Sequence, residues 1–373
     1  MTLRIPLSSP DIGESEIEAV SQVLRTPELC LGPQLAAFEA ALADYHSVPH
    51  AVAVSSGTAG LHLALLAQRI GQGHEVIVPS FTFIAVGNAV IQAGATPVFV
   101  EIDPVTLNLD PAAVERAVTP RTRAVLVVHT FGVPAQMDEI QSIVQRYGLA
   151  LIEDASEAIG AEFGGQRVGS FGDFAVFGFY PNKQITTGEG GAVLARDEQC
   201  AARLRSLRNQ GRLGTGQWLD YYEMGYNYRI SEMACALGRV QLGRIEEILG
   251  LRRAAAERYA ELLGRECGAL RGLVVPPLQL PRCTISWFTY VVRLPVGIQR
   301  DLVRASLARE GIATGSYFGP IHMQPAWQRH PSVATCQLPI TESIARRTLA
   351  LPFFTRITAE QQQQVATALR RAV

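Results

Sequence analysis

Between residues 55 and 195, short apolar runs alternate with helical patterns, and this alternation constrains the chain more than any other feature. Val76-Ile77-Val78 is strand-like and leads into an alanine-rich helical pattern over 84–93. Pro97-Val98-Phe99-Val100 follows, with a helix expected over 111–117. Ala124-Val125-Leu126-Val127-Val128 precedes a helix expected over 137–147. Leu149-Ala150-Leu151-Ile152, then 174–179 and 192–195, complete the series. Strands alternating with helices form a mainly parallel sheet covered on both faces, an α/β fold. Ligands of such sheets bind in loops beyond the carboxyl ends of the strands. His129, Asp154 and Lys183 each follow a strand-like run, so the pattern places them near one edge of the sheet.

The second half changes character. Amphipathic patterns cover 231–249 and 251–263, and Pro276-Pro277 interrupts the chain. A strand over 289–294, a helix over 299–310 and terminal helices then suggest a smaller α/β domain. The expected division is a large domain over 1–249, N-terminal segment included, and a small one over 250–373.

Composition narrows the function. The formal net charge is −1, with no basic block to bind nucleic acid. The six cysteines form no CxxC pair, which speaks against zinc or a disulfide framework and for a reducing, cytoplasmic setting. Residues 1–10 lack the basic start and apolar run of a signal peptide. No stretch approaches the length of apolar sequence that spans a membrane.

Lys and Arg together number 33, and only one of them, Lys183, is a lysine. Arginine stays protonated, whereas a desolvated lysine loses its proton and attacks carbonyls. A lone lysine between a β-like run and the glycine-rich Gly188-Glu189-Gly190-Gly191 reads as a cofactor lysine, as one half of a structural ion pair, or as a chance survivor of Arg-biased drift.

Three further segments bear on that choice. Ser55-Ser56-Gly57-Thr58-Ala59-Gly60 opens a helical pattern, where free N–H groups bind phosphate; an ordinary serine N-cap is the competing reading. Asp154 ends a strand, as a metal ligand, a base or a partner for a cationic ring nitrogen, or as a helix cap. Phe83, in Pro79-Ser80-Phe81-Thr82-Phe83, is a plate for a planar cofactor or a core residue. No His/Cys/carboxylate cluster has metal-ligand spacing. Taken in order, cradle, aromatic, carboxylate and lysine match the needs of pyridoxal 5′-phosphate.

The chain also resembles the DegT/StrS-type sugar aminotransferases, fold type I enzymes dependent on this cofactor. The resemblance lies in SSGTAGLHLAL (55–65), EVIVPSFTF (75–83), AGATPVFVEID (93–103), IEDASEA (152–158), FYPNKQITTGEGG (179–191), LRNQG (207–211) and GYNYR (225–229). The TTGEGG and GYNYR wording is similar to the perosamine-synthase-like branch, which aminates C4 of nucleotide-linked 4-keto-6-deoxy sugars. The resemblance implies that Lys183 bonds the cofactor's aldehyde carbon, Asp154 pairs with the ring nitrogen, Phe83 stacks on the ring, and Gly57 and Thr58 hold the phosphate. It implies that Asn227 reaches the cofactor of a neighbouring subunit, so that a homodimer is the active unit. Glu157 stands where many relatives have glutamine, near the phenolic oxygen, where two negative charges conflict unless one is protonated. Gly178 stands where many relatives have a phosphate-binding serine, leaving Ser56 and Asn182 as candidate substitutes.

The implied reaction moves an amino group from glutamate to the keto-sugar nucleotide. A 3-keto substrate, a dehydratase or epimerase reaction, and a non-enzymatic regulator are the rival readings. Dehydratase relatives carry histidine at the lysine position, and this chain keeps Lys183. Arg229, Tyr317 and His322 are the expected substrate contacts. Arg203, Arg205, Arg208 and Arg212 lie beside the glycine-containing loop 211–216 as either diphosphate contacts or a solvated helix face.

Overall fold

A computed structural model describes residues 4–212, 220–266, 272–277, 279–334 and 336–373. The strands are β1 (His50–Val54), β2 (Glu75–Pro79), β3 (Thr96–Val100), β4 (Thr122–Val128), β5 (Ala150–Asp154), the two-residue β6 (Glu162–Phe163) and β7 (Gln166–Arg167), β8 (Phe174–Gly178), β9 (Gly191–Ala195), the two-residue β10 (Cys283–Thr284), β11 (Tyr290–Arg293) and β12 (Thr348–Leu351). Among the described residues, seven of them form one sheet in the order β1-β9-β8-β5-β4-β2-β3.

The sheet is parallel except at β9, which runs antiparallel to both β1 and β8. The cause is the connection. A parallel return needs a crossover of a dozen or more residues, usually a helix, whereas 179–190 contains no helix and turns the chain straight back. That turn carries Lys183. Beyond the strands read from the sequence, the structure adds β1, which pairs with β9 along its whole length.

Successive strand residues point to opposite faces, and both faces are covered. Val52, Val76, Val78, Leu126, Ile152 and Val176 pack on one side, against helices that include Gly57–Ala67 and Ala85–Gln92. Ala53, Ala175, Phe177 and Leu194 pack on the other, with Phe38 and Ile248. Burying each such Val, Ile, Leu or Phe contributes about 1.5–3 kcal/mol.

Two expectations shift. The helix break falls at Arg244, between Glu232–Gly243 and Ile245–Glu266, so residue 250 lies inside a continuous helix. Arg244 turns its guanidinium to Asp11 and Glu16, at 2.7 Å each, where the chain changes direction. The N-terminal segment also departs from its assignment to the large domain. Ile5 bridges Ile312 and is buried with Tyr259, Val292, Leu349 and Leu369, in the core of the C-terminal half. That half is built on the antiparallel pair β11–β12, backed by Arg300–Arg309 and Ala359–Ala372. No helix among the described residues is long and apolar enough to cross a membrane.

Candidate active site

A cavity of about 510 Å³ opens at the carboxyl ends of the parallel strands. All the parallel strands but β3 deliver residues to it, as expected for such a sheet. Ser56, Gly57 and Thr58 follow β1, Thr82 and Phe83 follow β2, and Val128 ends β4. Asp154 ends β5, with Ser156 and Glu157 just beyond; Gly178 ends β8, followed by Tyr180, Asn182 and Lys183. Phe288, Tyr317 and Phe318 close the cavity from the C-terminal half.

The floor is the start of helix Gly57–Ala67. Ser56 caps it, its Oγ accepting from Ala59 N at 3.1 Å. The first N–H groups of a helix have no intrahelical partner, and they favour an anion. Gly57 and Gly178 meet there: a Cβ on Gly57 would lie 3.2 Å from both the Gly178 Cα and the Ser156 Oγ. Close backbone approach thus replaces a side chain at 178, and Ser156 brings a hydroxyl to the same spot. The Asn182 Oδ1 is buried in the cavity wall without a hydrogen-bond partner.

The reactive groups stand together. Lys183 Nζ lies 3.4 Å from Glu157 Oε1 and 4.0 Å from the centre of the Phe288 ring. Glu157 Oε2 accepts from Phe131 N at 2.9 Å. Asp154 Oδ1 accepts from Ser156 N at 3.1 Å, and the carboxyl forms no ion pair with a described residue. Burial raises the pKa of Asp154, with the Ser156 bonds and the Lys183 charge only partly opposing it. Burial likewise raises Glu157, again against Lys183 and the Phe131 N–H. A buried carboxylate at a cavity wall is stabilised by a cation placed beside it.

Several expected residues lie elsewhere. His129 is fully buried on the far face of the sheet, its Nε2 3.1 Å from Glu153 Oε2. His322 does not line the cavity. It is buried, with Nδ1 2.7 Å from Ser80 Oγ and Nε2 3.4 Å from Glu342 Oε1, so both ring nitrogens are committed to packing. Asn227 and Arg229 are also outside this cavity; Arg229 Nη1 donates to Asn209 Oδ1 and Gln210 Oε1. Arg203 pairs with Glu223, and Arg208 is buried against Glu39 at 2.6 Å. Residues 213–219 of the glycine loop lie outside the described residues. Sequence reading missed Phe288 and Phe318, which come from distant aromatic-rich segments. It also missed Ser156, two residues beyond Asp154 in a segment it had already singled out.

An anion at the helix start, a cation beside Asp154 and a carbonyl within reach of the lone lysine are met together by pyridoxal 5′-phosphate. The fold and this cavity therefore define an enzyme that depends on that cofactor. Kinship supplies the reaction class: the chain belongs to the DegT/DnrJ/EryC1/StrS aminotransferase family, matched over residues 10–370. It is 40% identical over 370 residues to GDP-perosamine synthase of Caulobacter vibrioides, covering 98% of this chain and 97% of that one. Among solved structures, DesV of S. venezuelae, in complex with a ketimine intermediate, superposes with a TM-score of 0.91 at 38% identity, covering 99% of this chain and 98% of that one. The sugar aminotransferase Spr1654 of Streptococcus pneumoniae, described as putative and solved in its PLP form, superposes at 0.92 with 26% identity over the same shares.

Proposed function

We propose that this aminotransferase moves an amino group from glutamate to the keto carbon of a nucleotide-linked 4-keto-6-deoxy sugar. The observation that carries the reading is the single cavity at which Lys183, Asp154 and the helix start converge. The 40% identity to a GDP-perosamine synthase supports a sugar-nucleotide substrate.

Bound there, pyridoxal phosphate supplies an electrophilic carbon and an electron-withdrawing ring. The chain's residues do the rest. Gly57 and Thr58 hold the phosphate with backbone N–H groups, and Ser56 and Asn182 stand beside them. Asp154 keeps a proton on the ring nitrogen and so stabilises the charge that develops on the substrate carbon. Removing preorganised stabilisation of this kind typically costs about 10²–10³ in rate. Phe83 covers the ring. Lys183 Nζ would carry the proton that leaves the donor's α-carbon and, in the second half-reaction, would deliver a proton to the sugar carbon that gains the nitrogen.

The active unit in this reading is a homodimer. Asn227 and Arg229 lie outside their own protomer's cavity, next to the exposed Tyr221, Tyr222 and Met224. Those apolar side chains support a subunit contact that carries Asn227 toward the partner's cofactor and Arg229 toward its substrate. Tyr317, at the cavity mouth, faces the sugar.

The test is a panel of 4-keto and 3-keto nucleotide sugars, assayed with glutamate and read by product mass and proton NMR. Amination at C4 is expected. No half-reaction with glutamate, or amination at C3 alone, would overturn the reading.

A further inference from the structure

Arg252 is 2% exposed and among the largest fully buried side chains of the molecule, yet it forms no ion pair with a described residue. Its guanidinium is spent on neutral acceptors. Nε donates to the Trp287 carbonyl at 2.8 Å, Nη2 to the Phe288 carbonyl at 2.7 Å, and Nη1 to Thr355 Oγ1 at 3.1 Å. Burying a charge without a counter-charge is costly, and an apolar side chain of similar volume is often as stable or more so. What an apolar side chain cannot do is hold two consecutive carbonyls in one planar fork.

Those carbonyls belong to a strained segment. Trp287 has φ of 54°, in the left-handed region that a bulky residue occupies only when its surroundings hold it there. The segment is clamped from the opposite side as well. Ser286 N donates to Gly132 O at 3.0 Å, Phe288 N donates to Phe131 O at 3.2 Å, and Gln184 Nε2 donates to Ser286 Oγ at 3.0 Å. Gln184 is the neighbour of Lys183. Segment 286–288 is thus fastened to Arg252 on one side and to the lysine loop on the other. Its product is one ring: Phe288, whose centre lies 4.0 Å from Lys183 Nζ.

We propose that Arg252 is a positioning residue that holds Phe288 as an aromatic rest for the Lys183 amine during each half-reaction. The inference builds on the reading of Lys183 as the cofactor lysine. Once an amino donor has displaced it, Lys183 must stay beside the reacting carbons while it carries a proton. Glu157, 3.4 Å away, attracts the ammonium but also competes for its protons. The face of Phe288 attracts the charge without accepting a proton, so the ammonium stays in place and remains a donor.

A single lysine makes this directly observable. Protein grown on lysine labelled with ¹³C at Cε shows one lysine signal, and loading the holoenzyme with pyridoxamine 5′-phosphate keeps that amine free. The ring of Phe288 should move the Cε protons upfield, and F288L, which calibrates the effect, should abolish the displacement. R252M, or R252K if R252M does not fold, should lose most of it, and should lower the rate of the half-reaction while leaving KM for the donor unchanged. A folded Arg252 variant with the wild-type displacement would overturn the proposal and leave Arg252 a purely structural residue. Borohydride reduction of the pyridoxal form of the same samples separates the two levels. Cofactor trapped on Lys183 with an unmoved signal refutes only the role of Arg252, whereas cofactor trapped elsewhere refutes the reading beneath it.

Discussion

Glu153 and Asp154 are adjacent on β5, are both buried, and point to opposite faces of the sheet. On one face, Glu153 accepts from the N–H groups of Gly169 at 2.7 Å and of Phe171 and Gly172 at 2.8 Å. His129 completes that face: its Nδ1 accepts from Ala135 N, which leaves the proton on Nε2 to be donated to Glu153. Burial alone would raise the Glu153 pKa, but the bonds from His129 and from the Gly169 and Gly172 N–H groups outweigh it and the net shift is downward. On the other face, Asp154 is bonded by Ser156 and forms no ion pair with a described residue, and burial raises its pKa. The first carboxylate is finished by the fold. The second is left without a counter-charge at the cavity wall, where the proposed function puts the cofactor's ring nitrogen. Stability and function are divided between neighbouring residues of one strand.

The largest test of this division is E153Q. An amide turns its NH2 against two of the four donors, either the Phe171 and Gly172 N–H groups or those of Gly169 and His129, and breaking a buried charged cluster costs about 3–5 kcal/mol. Chemical denaturation should show that loss, while the surviving folded enzyme keeps a near-normal half-reaction. D154N should do the reverse, cutting the half-reaction by about 10²–10³-fold, measurable by stopped-flow absorbance. Its cofactor-free form should be more stable than the wild type at neutral pH, because the unpartnered buried charge is gone.

Acid titration of the cofactor-free protein sharpens the contrast through opposite signs. The folded Glu153 pKa is lowered, so its stabilisation is present above the ordinary value of 4.5 and is lost as pH falls through the folded value. The deficit of E153Q should therefore shrink in acid. The folded Asp154 pKa is raised, so its charge costs stability as pH rises from the ordinary value of 3.8 through the folded one. The advantage of D154N should vanish below 3.8. If both differences run in the same direction with pH, the two faces are not the opposites described here.

Much of this was legible beforehand. The alternation of apolar runs and helical patterns specifies the sheet, and the segments around Gly57, Phe83, Asp154 and Lys183 meet at one cavity, as their order along the strands implies. The misplacement of His129 was avoidable. Val128 pairs in register with Asp154 and shares its face, so period-two alternation sends His129 to the side of Glu153. Other features had no local signal. Ile5 joins the C-terminal core through a contact with residue 312, and Arg252 looks like any arginine of an amphipathic helix. His322 sits on a glycine- and proline-flanked turn that resembles a binding loop, and only the packing of Ser80 and Glu342 shows that its nitrogens are taken. Partners that come from distant sequence are fixed by tertiary packing, which no local pattern encodes.

The central claim is that the cavity exists to hold pyridoxal phosphate on one residue. Borohydride reduction of freshly purified holoenzyme, followed by peptide mass mapping, tests it directly. The account predicts that the reduced cofactor appears on a single peptide, the one carrying Lys183, in the wild type and in E153Q alike. Reduced holoenzyme with an unmodified Lys183 would contradict it.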